Sequence, residues 1–281
     1  MKRALVIGSP IAQSRSPLVH GYWLAQYGIE GSYERAEVRP EAVAEFLRDL
    51  PARGFSGCNV TIPNKEAAFA ACDHLTSRAQ SLGAVNTIWF DEGRIWGDNT
   101  DGIGFVAHLD QVHPGWDRNA PSILILGAGG AARGLALPLL ERRPGLIAFS
   151  NRSRDRAEAL IADIRAVMPN APLDLVPWPE KATSLGRFDL VINTTSAGML
   201  GKDALDLPLD QAPFHTIIAD IVYVPLETAL LAEARRRGLR TLDGLGMLLH
   251  QAVPGFEKWF GRKPEVSEKL REHVIAHLPS R

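Results

Sequence analysis

The sequence predicts an α/β protein made of two units, the first of them completed by helices from the far end of the chain. Three observations carry this expectation. Short apolar strands alternate with helical stretches before Asp101, which predicts a mostly parallel sheet with helices on its faces. A second alternating run begins at Ser122, after His113-Pro114-Gly115 and Pro121 break the pattern. Beyond Asp243-Gly244 the chain is helical, with no strand left for those helices to cover, so they are expected to pack back on the first unit. The chain has 281 residues, which suits two domains at about 150 residues each. The expected divisions are 1–101 together with 245–281, and 102–244.

Taken in order, the run 4–7 is an apolar strand. Pro17 opens a helix through Trp23 and Tyr27, because proline is tolerated at the first helical position. A second strand covers 33–38. Pro40 opens a helix with Val43, Phe46, Leu47 and Leu50 at helical spacing. The strand 57–62 must stop at Pro63, which then starts a helix. Strands 85–90 and 94–96 flank Asp91-Glu92-Gly93 and read as a hairpin. In the second unit the apolar strand 122–126 leads straight into Gly127-Ala128-Gly129-Gly130-Ala131-Ala132. Further strands are expected at 146–149, 190–192 and 217–222, with helices over 155–167 and 226–237. The terminal helices run over 245–260 and 264–277.

Composition removes several classes of function. Hydrophobic residues make up 46% and charged residues 22%, which excludes a disordered chain. Lys plus Arg is 31 against 32 for Asp plus Glu, so no charge excess points to nucleic acid or an anionic membrane. No apolar stretch approaches a membrane span, and the run at 4–7 is too short for a signal-peptide core, so a cytoplasmic address is expected. Cys58 and Cys72 are too few and too far apart for a zinc pattern or a disulfide framework. The eight histidines include no H-x-H or H-E-x-x-H spacing, and no metal is expected.

Five segments carry chemistry. Gly127, Gly129 and Ala132 fit G-x-G-x-x-A after a strand and before a helix. The first glycine permits a tight turn, the second lets the backbone approach a pyrophosphate, and the third small residue lets helix and strand pack closely. The free N–H groups of the helix then face the phosphates. This is a Rossmann-type dinucleotide-binding pattern. The tip of the next strand has Ser150-Asn151-Arg152-Ser153-Arg154-Asp155-Arg156, with no acid placed for a ribose 2′-OH. Arginines there suit a 2′-phosphate, so NADP is favoured over NAD; the other role for them is a solvated basic turn. Lys65 follows Asn59-Val60-Thr61-Ile62-Pro63-Asn64 in the first turn of a helix, where the helix field disfavours a cation. A lysine so placed suits proton exchange, though an exposed structural lysine fits the segment as well. Asp101, in Gly97-Asp98-Asn99-Thr100-Asp101-Gly102, serves either as a helix N-cap or as a partner holding the Lys65 ammonium. Ser14 and Ser16 precede Pro17, as caps or as a carboxylate site at a helix start. Thr61, Asn86 and Gln251 are neutral groups able to bond hydroxyls.

These segments together resemble the shikimate dehydrogenase family. The matching runs are Ser14-Arg15-Ser16-Pro17, Asn59 to Lys65, Gly83-Ala84-Val85-Asn86-Thr87, Gly97 to Gly102, Gly127 to Ala131 and Asn151-Arg152-Ser153. Asn193-Thr194-Thr195-Ser196-Ala197-Gly198-Met199, the run from Asp220 to Pro225 and the run from Asp243 to Gln251 complete the set in family order. The resemblance implies NADPH-dependent, reversible reduction of 3-dehydroshikimate to shikimate in aromatic amino-acid biosynthesis. It makes Lys65 and Asp101 the catalytic pair. Ser14, Ser16 and Tyr223 would hold the substrate carboxylate, and Asn59, Thr61, Asn86, Asp101 and Gln251 the ring hydroxyls. Gly127, Ala128, Gly129, Gly130 and Ala131 would cradle the NADP pyrophosphate. Asn151, Arg152, Ser153 and Arg156 would surround the 2′-phosphate, with Ile221 and Gly244 near the nicotinamide. The partner is then a small-molecule substrate, and the chain a monomer or homodimer.

The chain departs from the family pattern at three places. Gly21 follows His20 where Asn is frequent, Ala197 replaces a larger apolar residue, and Ser153 stands for Thr but keeps the hydroxyl. Quinate/shikimate and aminoshikimate dehydrogenases are the rival activities of the same chemistry. A non-catalytic NADP-binding sensor would leave Lys65 and Asp101 without a role. A methylene-tetrahydrofolate-type dehydrogenase would leave the serine pair without one.

Overall fold

A computed structural model describes residues 1–278. In chain order, β1 (Lys2–Gly8), α1 (Ser16–Tyr27), β2 (Gly31–Glu37), α2 (Val43–Asp49), β3 (Phe55–Val60) and α3 (Lys65–Ala71) come first. They are followed by β4 (His74–Leu75), α4 (Ser77–Leu82), β5 (Thr87–Asp91), β6 (Arg94–Asp98) and α5 (Asp101–Val112). The second run is β7 (Ser122–Leu126), α6 (Gly130–Glu141), β8 (Leu146–Ser150), α7 (Arg154–Val167), β9 (Leu173–Leu175), β10 (Leu190–Asn193), β11 (Ile217–Asp220), α8 (Ala229–Arg236) and β12 (Arg240–Leu242). Helices α9 (Gly244–Phe260) and α10 (Glu268–Ile275) close the chain. Two compact units result. One comprises Met1–Gly104 and Leu248–Leu278, the other Phe105–Met247, so the divisions pass through α5 and α9.

The first unit holds a six-stranded sheet in the order β2-β1-β3-β5-β6-β4. β1 pairs in parallel with β2 and β3, and β4 with β6. The β5–β6 hairpin is antiparallel within itself and to β3. Its turn residues Glu92 and Gly93 both have positive φ, as a twisted two-residue hairpin turn requires. Leu5, Ile7, Val43, Leu47, Leu50, Cys58 and Ile88 form the core beneath α2 and α3. The terminal helices cover this unit, as the unpartnered helical tail predicts. Trp259 of α9 donates its indole N–H to the Ile88 carbonyl at 2.8 Å. Trp23 of α1 donates to the Glu265 carbonyl at 2.9 Å, and Tyr27 accepts from the Glu265 N–H at 3.0 Å. Those two bonds hold 265 in an extended segment, so α10 starts at Glu268, capped by Ser267, rather than at Pro264.

The second unit is a wholly parallel sheet ordered β12-β11-β10-β7-β8-β9. From β7 the chain builds outward first on one side and then on the other. Its switch point lies between β7 and β10, where sheets of this kind bind ligands. Every residue of β10 and β11 is buried, which suits central strands covered on both faces. Strands β4, β9 and β12 have two or three residues each, and helix α4 has six. All four escape a periodicity reading, which needs longer windows.

Candidate active site

In the first unit five elements bring the expected polar residues together. The turn Thr61–Asn64 closes with the Asn64 N–H on the Thr61 carbonyl at 2.9 Å, with a cis Ile62–Pro63 peptide inside it. Pro63 therefore belongs to the turn, and α3 starts at Lys65. Asn64 spends its side chain on the Val38 carbonyl at 2.7 Å rather than on capping α3. Lys65 is left at the helix start with its Nζ 2.5 Å from Asp101 Oδ2. The carboxylate opposes the helix-end field that otherwise disfavours the ammonium. Asp101 is not spent as a cap: Asn99 Oδ1 accepts the Asp101 backbone N–H at 3.3 Å, and Asp98 accepts from Asn99.

Beside this pair lie neutral amides. Asn86 Nδ2 donates to Asp101 Oδ1 at 2.8 Å and to Gln251 Oε1 at 3.4 Å. Gln251 reaches this place from α9, where its backbone lies against Gly104. A Cβ at 104 would come within 2.6 Å of the Gln251 nitrogen. Asn59, on β3, donates from Nδ2 to the Asn86 carbonyl at 3.1 Å. Thr61 lies just beyond β3, its backbone N–H bonded to the Ile7 carbonyl at 2.9 Å. Ser14 and Ser16 converge at the start of α1, with their hydroxyl oxygens 3.4 Å apart. Ser16 is the first helical residue rather than the cap, and the helix has no acid in its first turn. The Arg35 guanidinium donates twice to the Ser14 carbonyl, at 3.1 and 2.7 Å. A cation, two hydroxyls and a helix N-terminus make a site for a carboxylate.

The second unit carries the other expected residues. Gly127 has φ +114°, and a Cβ there would meet Thr194 Oγ1 at 2.6 Å across the switch point. At Gly129 and Gly130 an added Cβ would meet nothing within 4 Å. Together with Ala128 and Ala131 they form the exposed lip of α6, whose N-terminus has no side-chain cap and no acid. That is the cradle a dinucleotide pyrophosphate requires, with free N–H groups facing it. At the tip of β8, Asn151 Nδ2 donates to the Ser153 carbonyl at 2.8 Å. Ser153 Oγ caps α7 by accepting the Arg156 N–H at 3.5 Å. Arg154 pairs with Glu158, whereas the Arg152 guanidinium stands 5.8 Å over the Trp178 ring. Arg152 and Arg156 are exposed. Ile221 and Tyr223 follow β11, which ends in buried Asp220. That carboxylate takes Asn193 Nδ2 at 3.0 Å, the Val222 N–H at 3.0 Å and the Thr228 hydroxyl at 2.8 Å. It thereby fixes the segment leading to Tyr223. Burial outweighs these donors and pushes the carboxyl up to about 6. A Cβ at Gly244 would strike the Ile221 carbonyl at 2.2 Å, so only glycine fits there.

Sequence reasoning missed Thr87, Thr100, Tyr33, Trp178 and Asp220. Thr87, Thr100 and Asp220 stand inside the family motifs, yet each also bonds a residue distant along the chain, Asn59, Gln251 and Asn193 respectively, and no spacing reveals those bonds. Among the described residues no group of His, Cys, Asp and Glu is arranged to hold a metal ion.

A parallel sheet with a glycine turn at its switch point and arginines at the next strand tip defines an NADP-type dinucleotide-dependent dehydrogenase, here joined to a unit holding a lysine–aspartate pair. Two family models match: the shikimate dehydrogenase substrate binding domain over residues 6–88, and the shikimate 5′-dehydrogenase C-terminal domain over 244–268. A shikimate dehydrogenase (NADP(+)) from Methylobacterium radiotolerans is 53% identical over 279 residues, covering 98% of this chain and 97% of its own length. The chain belongs to the shikimate dehydrogenase family. Shikimate 5-dehydrogenase from Thermus thermophilus, solved in complex with NADP(H) and shikimate, has TM-score 0.86 at 36% identity, covering 99% of this chain and 100% of that one. Quinate dehydrogenase from Corynebacterium glutamicum, solved in complex with NAD, has TM-score 0.89 at 29% identity, covering 98% and 100%.

Proposed function

We propose that this chain is an NADP(H)-dependent oxidoreductase interconverting 3-dehydroshikimate and shikimate. The observation that carries the reading is the Lys65–Asp101 pair at 2.5 Å, set among neutral amides in a chain whose family is shown. Ser14 and Ser16 hold the substrate carboxylate, a role the family resemblance extends to Tyr223. Asn59, Thr61, Asn86, Asp101 and Gln251 bond the ring hydroxyls. When bound, NADPH supplies the hydride to the carbonyl carbon. Lys65 faces the charge that grows on the carbonyl oxygen and delivers a proton from Nζ to it, so the carbonyl becomes a secondary alcohol. Asp101 keeps the Lys65 amine in place and accepts from a neighbouring hydroxyl. The units divide the work, with 1–101 and 245–281 serving the substrate and 102–244 the cofactor.

The glycine turn from Gly127 to Ala131 takes the pyrophosphate. Asn151, Arg152, Ser153 and Arg156 take the 2′-phosphate, and Ile221 and Gly244 adjoin the nicotinamide. The cofactor carries the hydride chemistry and the protein supplies orientation and electrostatics. We place the enzyme in the cytoplasm as a monomer or homodimer. The two free cysteines agree with a reducing compartment, and among the described residues no helix is long and apolar enough to cross a membrane.

The testing experiment offers shikimate and quinate, each with NADP+ or NAD+, and follows the absorbance of the reduced nicotinamide. Turnover of shikimate with NADP+ well above the other three pairs is expected. Preference for quinate would move the chain to the quinate branch, and preference for NAD+ would overturn the reading of Arg152.

A further inference from the structure

Resting on the proposed roles of Asn86, Asp101 and Lys65, we propose that Thr87 is a positioning residue for the reaction, its hydroxyl fixing which end of the Asn86 amide faces Asp101. The two ends of an amide have nearly the same shape and opposite hydrogen-bonding character. Asn86 Oδ1 receives the Thr100 backbone N–H at 2.9 Å and the Thr87 hydroxyl at 2.9 Å. The Thr100 hydroxyl is 3.1 Å from the same oxygen, but its one proton has the Gln251 carbonyl at 2.8 Å. Thr87 Oγ1 also lies 3.2 Å from Thr100 Oγ1, but its contact with Asn86 Oδ1 at 2.9 Å is the shorter, so Thr87 is the side-chain donor that holds the oxygen inward. The amide nitrogen must then point to Asp101 and Gln251. Turned over, the amide would set its oxygen against a carboxylate oxygen 2.8 Å away.

The direction of the Thr87 proton is set from its other side. Asn59 Nδ2 donates to Thr87 Oγ1 at 3.3 Å, because Asn59 Oδ1 is taken by the Tyr33 hydroxyl at 2.6 Å. Burial holds the Tyr33 phenol well above its ordinary range, so it remains a donor. The bonds thus run in one sense, from Tyr33 through Asn59, Thr87 and Asn86 to Asp101, and end on the carboxylate that pairs with Lys65. Asn59, Thr87 and Asn86 are 5%, 1% and 2% exposed, so bulk water does not compete for these bonds. Thr87 opens β5 and lies in register with Asp98 of β6, which keeps its hydroxyl in place. At 1% exposure it has no access to substrate and acts through Asn86.

The test compares Thr87→Val, which removes the hydroxyl at nearly constant shape, with Thr87→Ser, which keeps it. Shikimate oxidation with NADP+ is measured alongside thermal melting and NADP+ titration. The valine variant should lose about tenfold or more in kcat, the worth of roughly one buried hydrogen bond, with NADP+ affinity unchanged. The serine variant should return to within about twofold of the parent. With shikimate deuterated at the carbon that gives up hydride, the isotope effect on kcat should rise in the valine variant, because the chemical step has become slower. A purely structural role for Thr87 would lower the melting temperature and leave the isotope effect where it was, which overturns the proposal. Valine at parental kcat, or serine that fails to rescue, overturns it too. If the valine variant does not fold, Tyr33→Phe removes the donor at the head of the chain. A several-fold loss of kcat with a raised isotope effect is then expected, and no change would contradict the proposal. Absence of shikimate turnover in the parent enzyme itself identifies the functional reading as the part that failed, and the proposal falls with it.

Discussion

Arg152 is the side chain on which the proposed choice of NADP turns. It is exposed, stands over the Trp178 ring at 5.8 Å, and follows a strand that ends without an acid. A planar guanidinium held against an aromatic face is ready to take a phosphate with little loss of freedom. Arg152→Ala should weaken NADP+ binding by about tenfold to a hundredfold, the worth of a charge-assisted hydrogen bond, while NAD+ binding changes little. Equal weakening of both cofactors, measured by titration, would show that Arg152 does not read the 2′-phosphate. The arginine was legible from sequence, because Ser150-Asn151-Arg152 stands where a 2′-OH partner would be expected. Trp178 was not, since it arrives from beyond β9, a strand too short to recognise. The same holds for Asn86. Its residue type suggested a hydroxyl partner, but the orientation of its amide depends on the Thr87 hydroxyl, on the Thr100 backbone N–H and on Gln251, 165 residues away, and only the first of these is a sequence neighbour.

Whole elements were read most easily where burial imposes a period. β7 and β10 are wholly or almost wholly apolar, and the glycine run between β7 and α6 can be read without coordinates. What spacing alone does not show is why Gly127 tolerates no side chain. Its φ of +114° and the 2.6 Å approach of Thr194 Oγ1 forbid a Cβ. Gly127→Ala should therefore displace the loop and weaken NADP+ binding by about tenfold or more, with melting of the cofactor-free protein as a control. Unchanged affinity would mean that the turn does not shape the pyrophosphate site. Helix α9 teaches a complementary lesson. The absence of a partner strand predicted that it packs on the first unit, but its anchor appears only in the fold. Trp259 is 1% exposed, bonds the Ile88 carbonyl and fills the space beside Gly57. Trp259→Ala should cost about 3–5 kcal/mol of stability by denaturant unfolding. A cost under about 1 kcal/mol would show that α9 is held mainly elsewhere.

For the molecule as a whole, two buried groups set opposing pH dependences of stability. His20 is fully buried and stacks on Tyr33 with ring centroids 4.0 Å apart. Burial pushes its imidazole down to about 3 from an ordinary 6.5. The unfolded chain therefore binds more protons at this residue, and the contribution of His20 is lost as pH falls from about 6.5 toward 3. Asp220 is raised from 3.8 to about 6, so its contribution is full below 3.8 and disappears as pH rises through about 6. Each acts with a slope of up to ~1.4 kcal/mol per pH unit, and between 3.8 and 6 the slopes oppose. Asp220→Asn removes one of them, so the variant should lose stability more steeply than the parent on acidification through that window. Parallel losses in denaturant titrations would contradict the assignment. Neither group was visible as a titrating site in the sequence, because burial is a property of the finished fold. Lys65 and Asp101 were visible, as chemistry-bearing residues in two motifs 36 residues apart, and the fold sets them 2.5 Å from each other. The most direct measurement on the whole enzyme is turnover and cofactor binding by Lys65→Ala. The proposed proton transfer predicts a fall in kcat of about a thousandfold with NADPH affinity within about twofold of the parent. Turnover within about tenfold of the parent, or loss of NADPH binding along with activity, would contradict Lys65 as the proton donor.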